Sequence, residues 1–476
     1  MKQKAIFAEL IIFAKKNYLM KNKFLTILTL ALALTVQANA QGRNEKMPDT
    51  FITNPLLPGY YADPSLVQHD GKYYLYVTID PWGNDYLACW VTDDFVNWEY
   101  NSLNWPTKQA CTTSLSNENK VWAPSVIKKD GKFYMYVSVG SEIWCGVADN
   151  PLGPWKNMLG NKPLVGFDTT KYCHIIDSEV FVDDDGKTYL YWGSGWEWIN
   201  GRCFVAQLGD DMHSFKTTPK EVTPDNYFEA PFMIKRNSKY YLMYSDGKTI
   251  DATYKVRYAT GDSPFGPFKE ASNSPILQAD TAINVFGPGH HTVANINGQA
   301  YILYHKHRLP YKEGTAMRQL CIDSLNFNAN GEIEKVTPTN GICNPLKKAS
   351  HADRSDILEI STSSAMGEFF TKEKMLDNSM QTIWYPTSSD NTPWVTVKTK
   401  PGKYRQLVVI PEFAWEKYNV TCETSEDGKS WKTVFENKKM QGSPWKIDLP
   451  AGKNSKQIRL KTDSPKFGIW ELYLLK

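Results

Sequence analysis

The chain has 476 residues, with 54 Lys and Arg against 51 Asp and Glu and a formal net charge of +3. That length allows two or three domains, and a charge balance so near neutral supplies no field for nucleic acid. Aromatic residues make up 13% of the chain, a share that suits β-structure and sugar-stacking surfaces better than a helical bundle.

The N-terminus reads as a targeting segment. Lys21 and Lys23 precede the apolar run Phe24 to Val36, and Ala38-Asn39-Ala40 fits a small-residue cleavage site. Residues 1–40 are therefore expected to be a signal peptide, with Met20 the natural start and Gln41 the first mature residue. The expectation is an exported protein, periplasmic or secreted, with no membrane association after cleavage. No cysteine follows the apolar run to carry a lipid, and no later stretch is long and apolar enough to span a bilayer.

Between residues 50 and 346 one short pattern occurs five times. The copies begin at Asp63-Pro-Ser, Ala123-Pro-Ser, Asp177-Ser-Glu, Glu229-Ala-Pro and His290-His-Thr. Each reads as a strand, a tight turn at Asp-Gly or its equivalent, and an aromatic strand. The starts are spaced by roughly 50–60 residues, the range of a propeller blade. A five-bladed β-propeller is therefore predicted, which gathers equivalent positions of every blade around one axis. Asp63, Asp177 and Glu229 are expected to meet there. Two loops, Asn150-Pro-Leu-Gly-Pro-Trp and Ser263-Pro-Phe-Gly-Pro-Phe, recur as turn-rich segments ending on an aromatic residue. Asp94-Phe-Val-Asn-Trp and Met212-His-Ser-Phe are similar elements. The run Asp183-Asp184-Asp185-Gly is read as a solvated turn.

The composition turns polar over 347–356, read as a linker too short for a free tether. Residues 357–476 then form a second all-β unit with short strands such as Gln406-Leu-Val-Val-Ile and Gln457-Ile-Arg-Leu, the pattern of a β-sandwich. The eight cysteines contain no Cys-x-x-Cys spacing, so a zinc site is not indicated. Export permits disulfides, but a chain of this size folds without them, and buried thiols are expected for most.

Three converging acids suit glycoside hydrolysis. That reaction needs one carboxyl group to protonate the leaving oxygen and another to attack carbon or deprotonate water. A third carboxylate nearby can raise the donor's pKa by like-charge repulsion. Taken singly, an Asp before Pro-Ser is a common turn acid, and the convergence is what favours catalysis.

The stretches Asn54-Pro-Leu-Leu-Pro-Gly-Tyr-Tyr-Ala-Asp63-Pro-Ser, Val121-Trp-Ala-Pro-Ser, Ile176-Asp177, Glu229-Ala-Pro and Gly287-Pro-Gly-His290-His resemble glycoside hydrolase family 43 over about 300 residues. The chain departs from the family pattern at Ser178, where proline commonly follows the aspartate. The resemblance implies a five-bladed propeller that inverts configuration at the anomeric carbon. It makes Asp63 the general base, Glu229 the general acid, and Asp177 the residue that tunes and orients the acid. It further implies that Arg318 reaches toward the carboxylates. His290 is implied to sit near the propeller axis, where in similar proteins such a histidine helps hold a structural calcium through water; no cofactor is required. Trp122 and Phe228 are candidate sugar-binding aromatics, as are Trp82, Trp144 and Trp196. Met375-Leu-Asp-Asn, Thr382-Ile-Trp-Tyr and Trp470-Glu-Leu are similar to a discoidin-type (factor 5/8 C-terminal, carbohydrate-binding module 32-like) domain.

The expected activity is exo-hydrolysis of plant-type polysaccharide side chains by an α-L-arabinofuranosidase, with β-xylosidase and exo-galactanase as alternatives. A non-catalytic carbohydrate-binding propeller is the rival of another class. The expected partner is an oligo- or polysaccharide, and the sequence carries no signal for an oligomeric state.

Overall fold

The computed structural model describes residues 54–113, 120–168, 173–340, 353–450, 456–464 and 467–476. The segment read as a signal peptide, most of the 347–356 stretch read as a linker, and Cys343 lie outside the described residues. Those that are described belong to one compact unit, Thr50–Lys476. They are all-β, with only two 3-10 turns, Thr281–Ile283 and Lys372–Met375, among them.

Five antiparallel sheets follow one another in chain order. The first holds Tyr61–His69, Lys72–Ile79, Tyr86–Thr92 and Glu99–Thr107. The second holds Val121–Lys129, Lys132–Val139, Ile143–Ala148 and Lys156–Asn157. The third holds Glu179–Val182, Thr188–Trp192, Phe204–Gln207 and Lys220–Glu221, and the fourth Glu229–Arg236, Lys239–Asp246, Lys255–Gly261 and Lys269–Glu270. The fifth has three strands, Gly289–Ile296, Gln299–His307 and Arg318–Ser324. Upstream of the first sheet, Leu56 donates its N–H to Leu320 O at 2.7 Å, and Asn54 exchanges hydrogen bonds with Ile322. The segment before the first sheet is thereby sewn to the last strand of the fifth.

Local sequence explains each sheet. The first two strands are joined by two-residue turns, Asp70-Gly71, Asp130-Gly131 and Asn297-Gly298, with positive φ at both residues. Asp, Asn and Gly are the residues that adopt this conformation cheaply, and the turn's twist matches that of the strands. The aromatic second strands are the cores: Leu75, Tyr76 and Val77, and likewise Met135, Tyr136 and Val137, are fully buried. Their tyrosine hydroxyls reach the turn-plus-aromatic loops of the next sheet. Tyr76 donates to Pro151 O at 2.6 Å, Tyr136 to Met212 O at 2.7 Å and Tyr191 to Pro264 O at 2.6 Å. These loops therefore join neighbouring sheets. The triple-aspartate turn is only partly solvated: Asp183 is buried, bonded to Lys235 and Tyr240 of the fourth sheet. Its place at the sheet-to-sheet seam draws it inward.

Two further sheets complete the chain. One runs Ile357–Thr362, Trp394–Thr399, Gln457–Thr462, Tyr418–Ser425, Lys432–Met440 in spatial order, and the other Trp445–Asp448, Gln406–Pro411, Ile469–Leu475. They share one core that includes Trp384, Tyr418, Trp445 and Phe467. A separate contact joins them to the first and fifth sheets. Ala414 and Trp415 sit in one apolar cluster with Tyr61, Trp90 and Leu303, with the Tyr61 ring edge-on to Trp415 at 5.7 Å. Among the described cysteines, Cys89, Cys111, Cys145, Cys203, Cys321 and Cys422 are buried thiols, not disulfides, and Cys173 is buried as well.

Candidate active site

The first strand of four of the five sheets opens with a break in register, between Ala62 and Ser65, Trp122 and Ser125, Glu229 and Phe232, and Gly289 and Thr292. At the break one residue takes left-handed backbone: Asp63 (φ 54°), Ala123 (φ 45°), Ala230 (φ 55°) and His290 (φ 40°). Asp177 (φ 57°) does so just before the third sheet. This conformation costs a non-glycine residue about 1–2 kcal/mol, and such strain gathers at functional sites. Glu229 does not share it. The residue matching Asp63 and Asp177 in the fourth sheet is Ala230, and Glu229 holds the preceding place, where Ala62 and Trp122 stand. The expectation of three acids at one equivalent position is corrected here: two share a position and the third enters from the neighbouring one.

The last residues of the second strands secure these openings. Thr78 Oγ1 accepts the Ala123 N–H at 2.8 Å, Ser138 Oγ that of Asp177 at 3.0 Å, and Ser245 Oγ that of His290 at 2.9 Å. Ser194 Oγ instead donates to Glu229 Oε2 at 2.9 Å. In the fifth sheet the place of Thr78 and Ser138 is taken by His305, opposite Gly289, and its Nδ1 lies 3.4 Å from Asp63 Oδ1. The series runs once round the five sheets and returns to the first.

Asp63, Asp177, Glu229, His290 and Arg318 meet at one cleft. Arg318 Nη1 donates to Asp63 Oδ1 at 3.1 Å, and its Nε and Nη2 grip both oxygens of Asp80 at 2.9 and 2.8 Å. Asp80 also takes the Arg318 backbone N–H at 2.9 Å. His290 Nδ1 is 3.1 Å from Asp63 Oδ1 and 3.7 Å from Asp177 Oδ2. Tyr254 donates its hydroxyl to Glu229 Oε1 at 2.7 Å and stacks parallel on His305.

Burial by itself would raise the Asp63 carboxyl, but the charges of Arg318 and His290 outweigh it and hold it well below the usual carboxylate range. Burial pushes Asp177 up to about 8; Glu229 and Asp63 add to the push while His290 opposes it. Glu229 is raised chiefly by burial, against the hydrogen bonds of Tyr254 and Ser194. For His290, burial favours the neutral ring, yet Asp63 and Asp177 lift it to about 9. The site therefore holds a fixed anion at Asp63 and protonated capacity at Asp177 and Glu229.

The cleft is lined also by Trp82, Trp122, His174, Trp196, Phe228 and Glu197. Trp122 donates Nε1 to Trp82 O at 2.9 Å and meets His174 edge-on. Gly83 permits this contact: its φ is +80°, and a Cβ there would lie 2.2 Å from Trp122 Nε1. His174 stacks on Trp196 at 4.5 Å, and Trp82 and Trp196 are 38% and 39% exposed at the rim. Trp144 is corrected from the list of sugar-binding candidates, since it is fully buried in the core between the first two sheets. Sequence reasoning missed Asp80, Ser194, Tyr254, His174 and His305. A polar residue at the end of each second strand, Thr78, Ser138, Ser194, Ser245 and His305, is a signal that was available in the repeat.

Calcium takes about six to eight oxygen ligands. His290 presents one nitrogen to Asp63, already engaged by Arg318, and to Asp177, and no group of three or more His, Cys, Asp or Glu among the described residues is arranged to hold an ion. These side chains do not fit calcium as direct ligands.

A profile of the family described as "Glycosyl hydrolases family 43" matches residues 52–333. Among curated proteins, the chain is 36% identical over 337 residues to the β-D-galactofuranosidase xynD of Aspergillus niger, covering 66% of this chain and 94% of that one. It is 29% identical to a xylosidase/arabinosidase of Bacteroides ovatus, over 58% of this chain and 95% of that protein. It is 27% identical to an arabinoxylan arabinofuranohydrolase of Bacillus subtilis, over 72% and 75%. A solved structure titled "Glycoside hydrolase" superposes with a TM-score of 0.76 at 26% identity, covering 90% of this chain and all of that one.

Proposed function

The chain belongs to glycosyl hydrolases family 43 and is a glycoside hydrolase, and from that premise we propose an inverting exo-glycosidase that removes furanose side residues, foremost α-L-arabinofuranose. In this reading the five sheets are blades of a propeller, the two C-terminal sheets a discoidin-like sandwich, and the first 40 residues an export signal.

The roles follow from the unequal surroundings of the acids. Glu229, raised and held by Ser194 and Tyr254, gives its proton to the glycosidic oxygen as the bond breaks. Asp63, kept ionised by Arg318 and His290, takes a proton from the water that attacks the anomeric carbon on the opposite face. Asp177 lies in the same field, its carboxyl pushed up by burial and by the charges of Glu229 and Asp63, and in this reading it tunes and orients the acid. Trp122, Phe228 and the Trp82 and Trp196 rim supply apolar faces for the sugar. The observation that carries the reading is this split between a carboxyl held low and a carboxyl held high across one cleft.

A β-D-galactofuranoside is the second substrate reading, on the strength of the 36% identical relative. β-D-Galactofuranose has the ring configuration of α-L-arabinofuranose and differs in a longer exocyclic arm, so one acid and base pair serves both. β-Xylosidase and exo-galactanase readings put a six-membered ring in the same place. A non-catalytic sugar-binding protein would be expected to lack one acid, and all three line this cleft.

The test is hydrolysis of the 4-nitrophenyl α-L-arabinofuranoside, β-D-galactofuranoside and β-D-xylopyranoside, with the first-formed anomer followed by proton NMR. Arabinofuranoside release with inversion is expected. Inactivity on all three and on arabinan, xylan and galactan would overturn the proposal in favour of a binder.

A further inference from the structure

Tyr60 belongs to two networks at once. Its backbone carbonyl accepts the Asp80 N–H at 3.1 Å, and Asp80 holds Arg318 by three hydrogen bonds, while Arg318 in turn holds Asp63. Its side chain points the other way, into the joint with the C-terminal sheets. There its hydroxyl lies 3.1 Å from the Tyr385 hydroxyl and receives Arg308 Nη1 at 3.3 Å. Tyr385 donates its own hydroxyl to the buried carboxyl group of Glu412. The Tyr60 ring is closed in by Trp470 edge-on at 5.5 Å and by Phe413.

A second tie reaches the same strand. Gln319, next to Arg318, donates Nε2 to Met380 O at 2.8 Å, and Met317 on the other side packs in the cluster of Tyr60, Ile383 and Trp470. Arg318 is thus flanked on both sides by residues that have partners in the C-terminal part of the chain, Met380 for Gln319, and Ile383 and Trp470 for Met317.

We propose that Tyr385 and Glu412 are positioning residues of the active site: by fixing Tyr60 they set the register of Asp80, and through it the Arg318 guanidinium against Asp63. The C-terminal sheets are on this view a back wall of the catalytic cleft. A hydrogen-bonded chain of buried polar groups has one low-energy arrangement, and a half-satisfied one is costly. The joint therefore has reason to hold Tyr60 in a single place. Placement within a fraction of an ångström matters for catalysis, where a shift of about 1 Å costs on the order of 100-fold.

The catalytic consequence rests on the glycosidase reading, so the test has one arm that needs no turnover. Tyr385→Phe removes the hydroxyl that joins Tyr60 to Glu412, Glu412→Leu removes the acceptor, and Glu412→Gln keeps one. Phe435→Ala, in the C-terminal core away from the joint, is the stability control. In the first arm, kcat, KM and the pH profile of kcat/KM are measured on the best substrate. Tyr385→Phe and Glu412→Leu are expected to lower kcat roughly tenfold with little change in KM. As Arg318 loosens from Asp63 the base becomes easier to protonate, so the acidic limb moves to higher pH. Glu412→Gln stays near wild type, and Phe435→Ala loses Tm without moving the limb. In the second arm, the His290 ring is titrated by carbon-13 NMR of labelled histidine. Its titration shifts in Tyr385→Phe and Glu412→Leu alone, because its partner Asp63 has moved. If those two variants lose Tm while both the acidic limb and the His290 titration stay put, the joint is merely structural and the proposal fails. An inactive wild type would overturn the glycosidase reading and leave the NMR arm to decide this one.

Discussion

Asp63 and Glu229 are both buried carboxyls, and what separates them is the sign of their neighbours. Two cations face Asp63, whereas hydroxyls and other acids face Glu229. Glu229→Ala is accordingly expected to cut hydrolysis of natural linkages by about 100- to 10,000-fold and to spare activated aryl glycosides in part, since a good leaving group needs no proton. Equal loss on both would remove Glu229 from the acid role. Arg318→Lys tests the other side. Lysine cannot span Asp63 and Asp80 with one planar fork, so Asp63 should become easier to protonate and the acidic limb of kcat/KM should move up in pH. His290 predicts a stability effect of opposite sense. Its folded pKa, about 9, lies above the ordinary value of 6.5. Its contribution is therefore full below pH 6.5 and is lost as pH rises through 9. His290→Gln should flatten the decline of Tm across that alkaline window, as read by calorimetry at a series of pH values.

At the scale of the element, the opening of a sheet combines a left-handed residue with a polar side chain from the sheet before it, a hydroxyl everywhere but at the first sheet, where it is His305, and in all but the third sheet a register break. Much of this was legible. The Asp-Gly turns, the aromatic second strands and the five starts stand in the sequence as repeats, and Asp63 and Asp177 fell out of the alignment of those repeats. Glu229 was found for a partly mistaken reason, because the register break that puts Ala230 in the matching place depends on φ and strand pairing and leaves no mark in spacing. The hydroxyls were legible too, about fifteen residues after each start, but serine and threonine at strand ends have so many ordinary uses that the pattern gains meaning only from the distances. The device makes a paired prediction. Ser138→Ala and Thr78→Val each leave a buried N–H without its acceptor, at a cost of about 1–3 kcal/mol. Both should lower Tm to a similar degree. Only Ser138→Ala should also lower kcat, because the freed N–H is that of Asp177, whereas the partner of Thr78 is Ala123.

On the whole-molecule scale, the sequence divides more readily than the structure does. A polar stretch near residue 350 suggests two separable parts, but the contacts across them could not be read from the chain, because Tyr61 and Trp415, or Gln319 and Met380, are distant in sequence and carry no shared pattern. The apolar cluster that runs from Trp90 and Leu303 through Tyr61 to Trp415 belongs to both parts at once. Burial of large side chains contributes roughly 1.5–3 kcal/mol each, and cutting the chain would return several of them, on the first and fifth sheets, to water. A fragment ending at residue 340 is therefore expected to expose an apolar patch beside the first and fifth sheets, and such patches drive association. Size-exclusion chromatography and binding of an apolar dye measure this directly: the fragment should aggregate or bind dye strongly where the full chain does neither. A monomeric, dye-free fragment with full activity would mean that the first five sheets need no cover, and that the C-terminal sheets contribute nothing to the cleft.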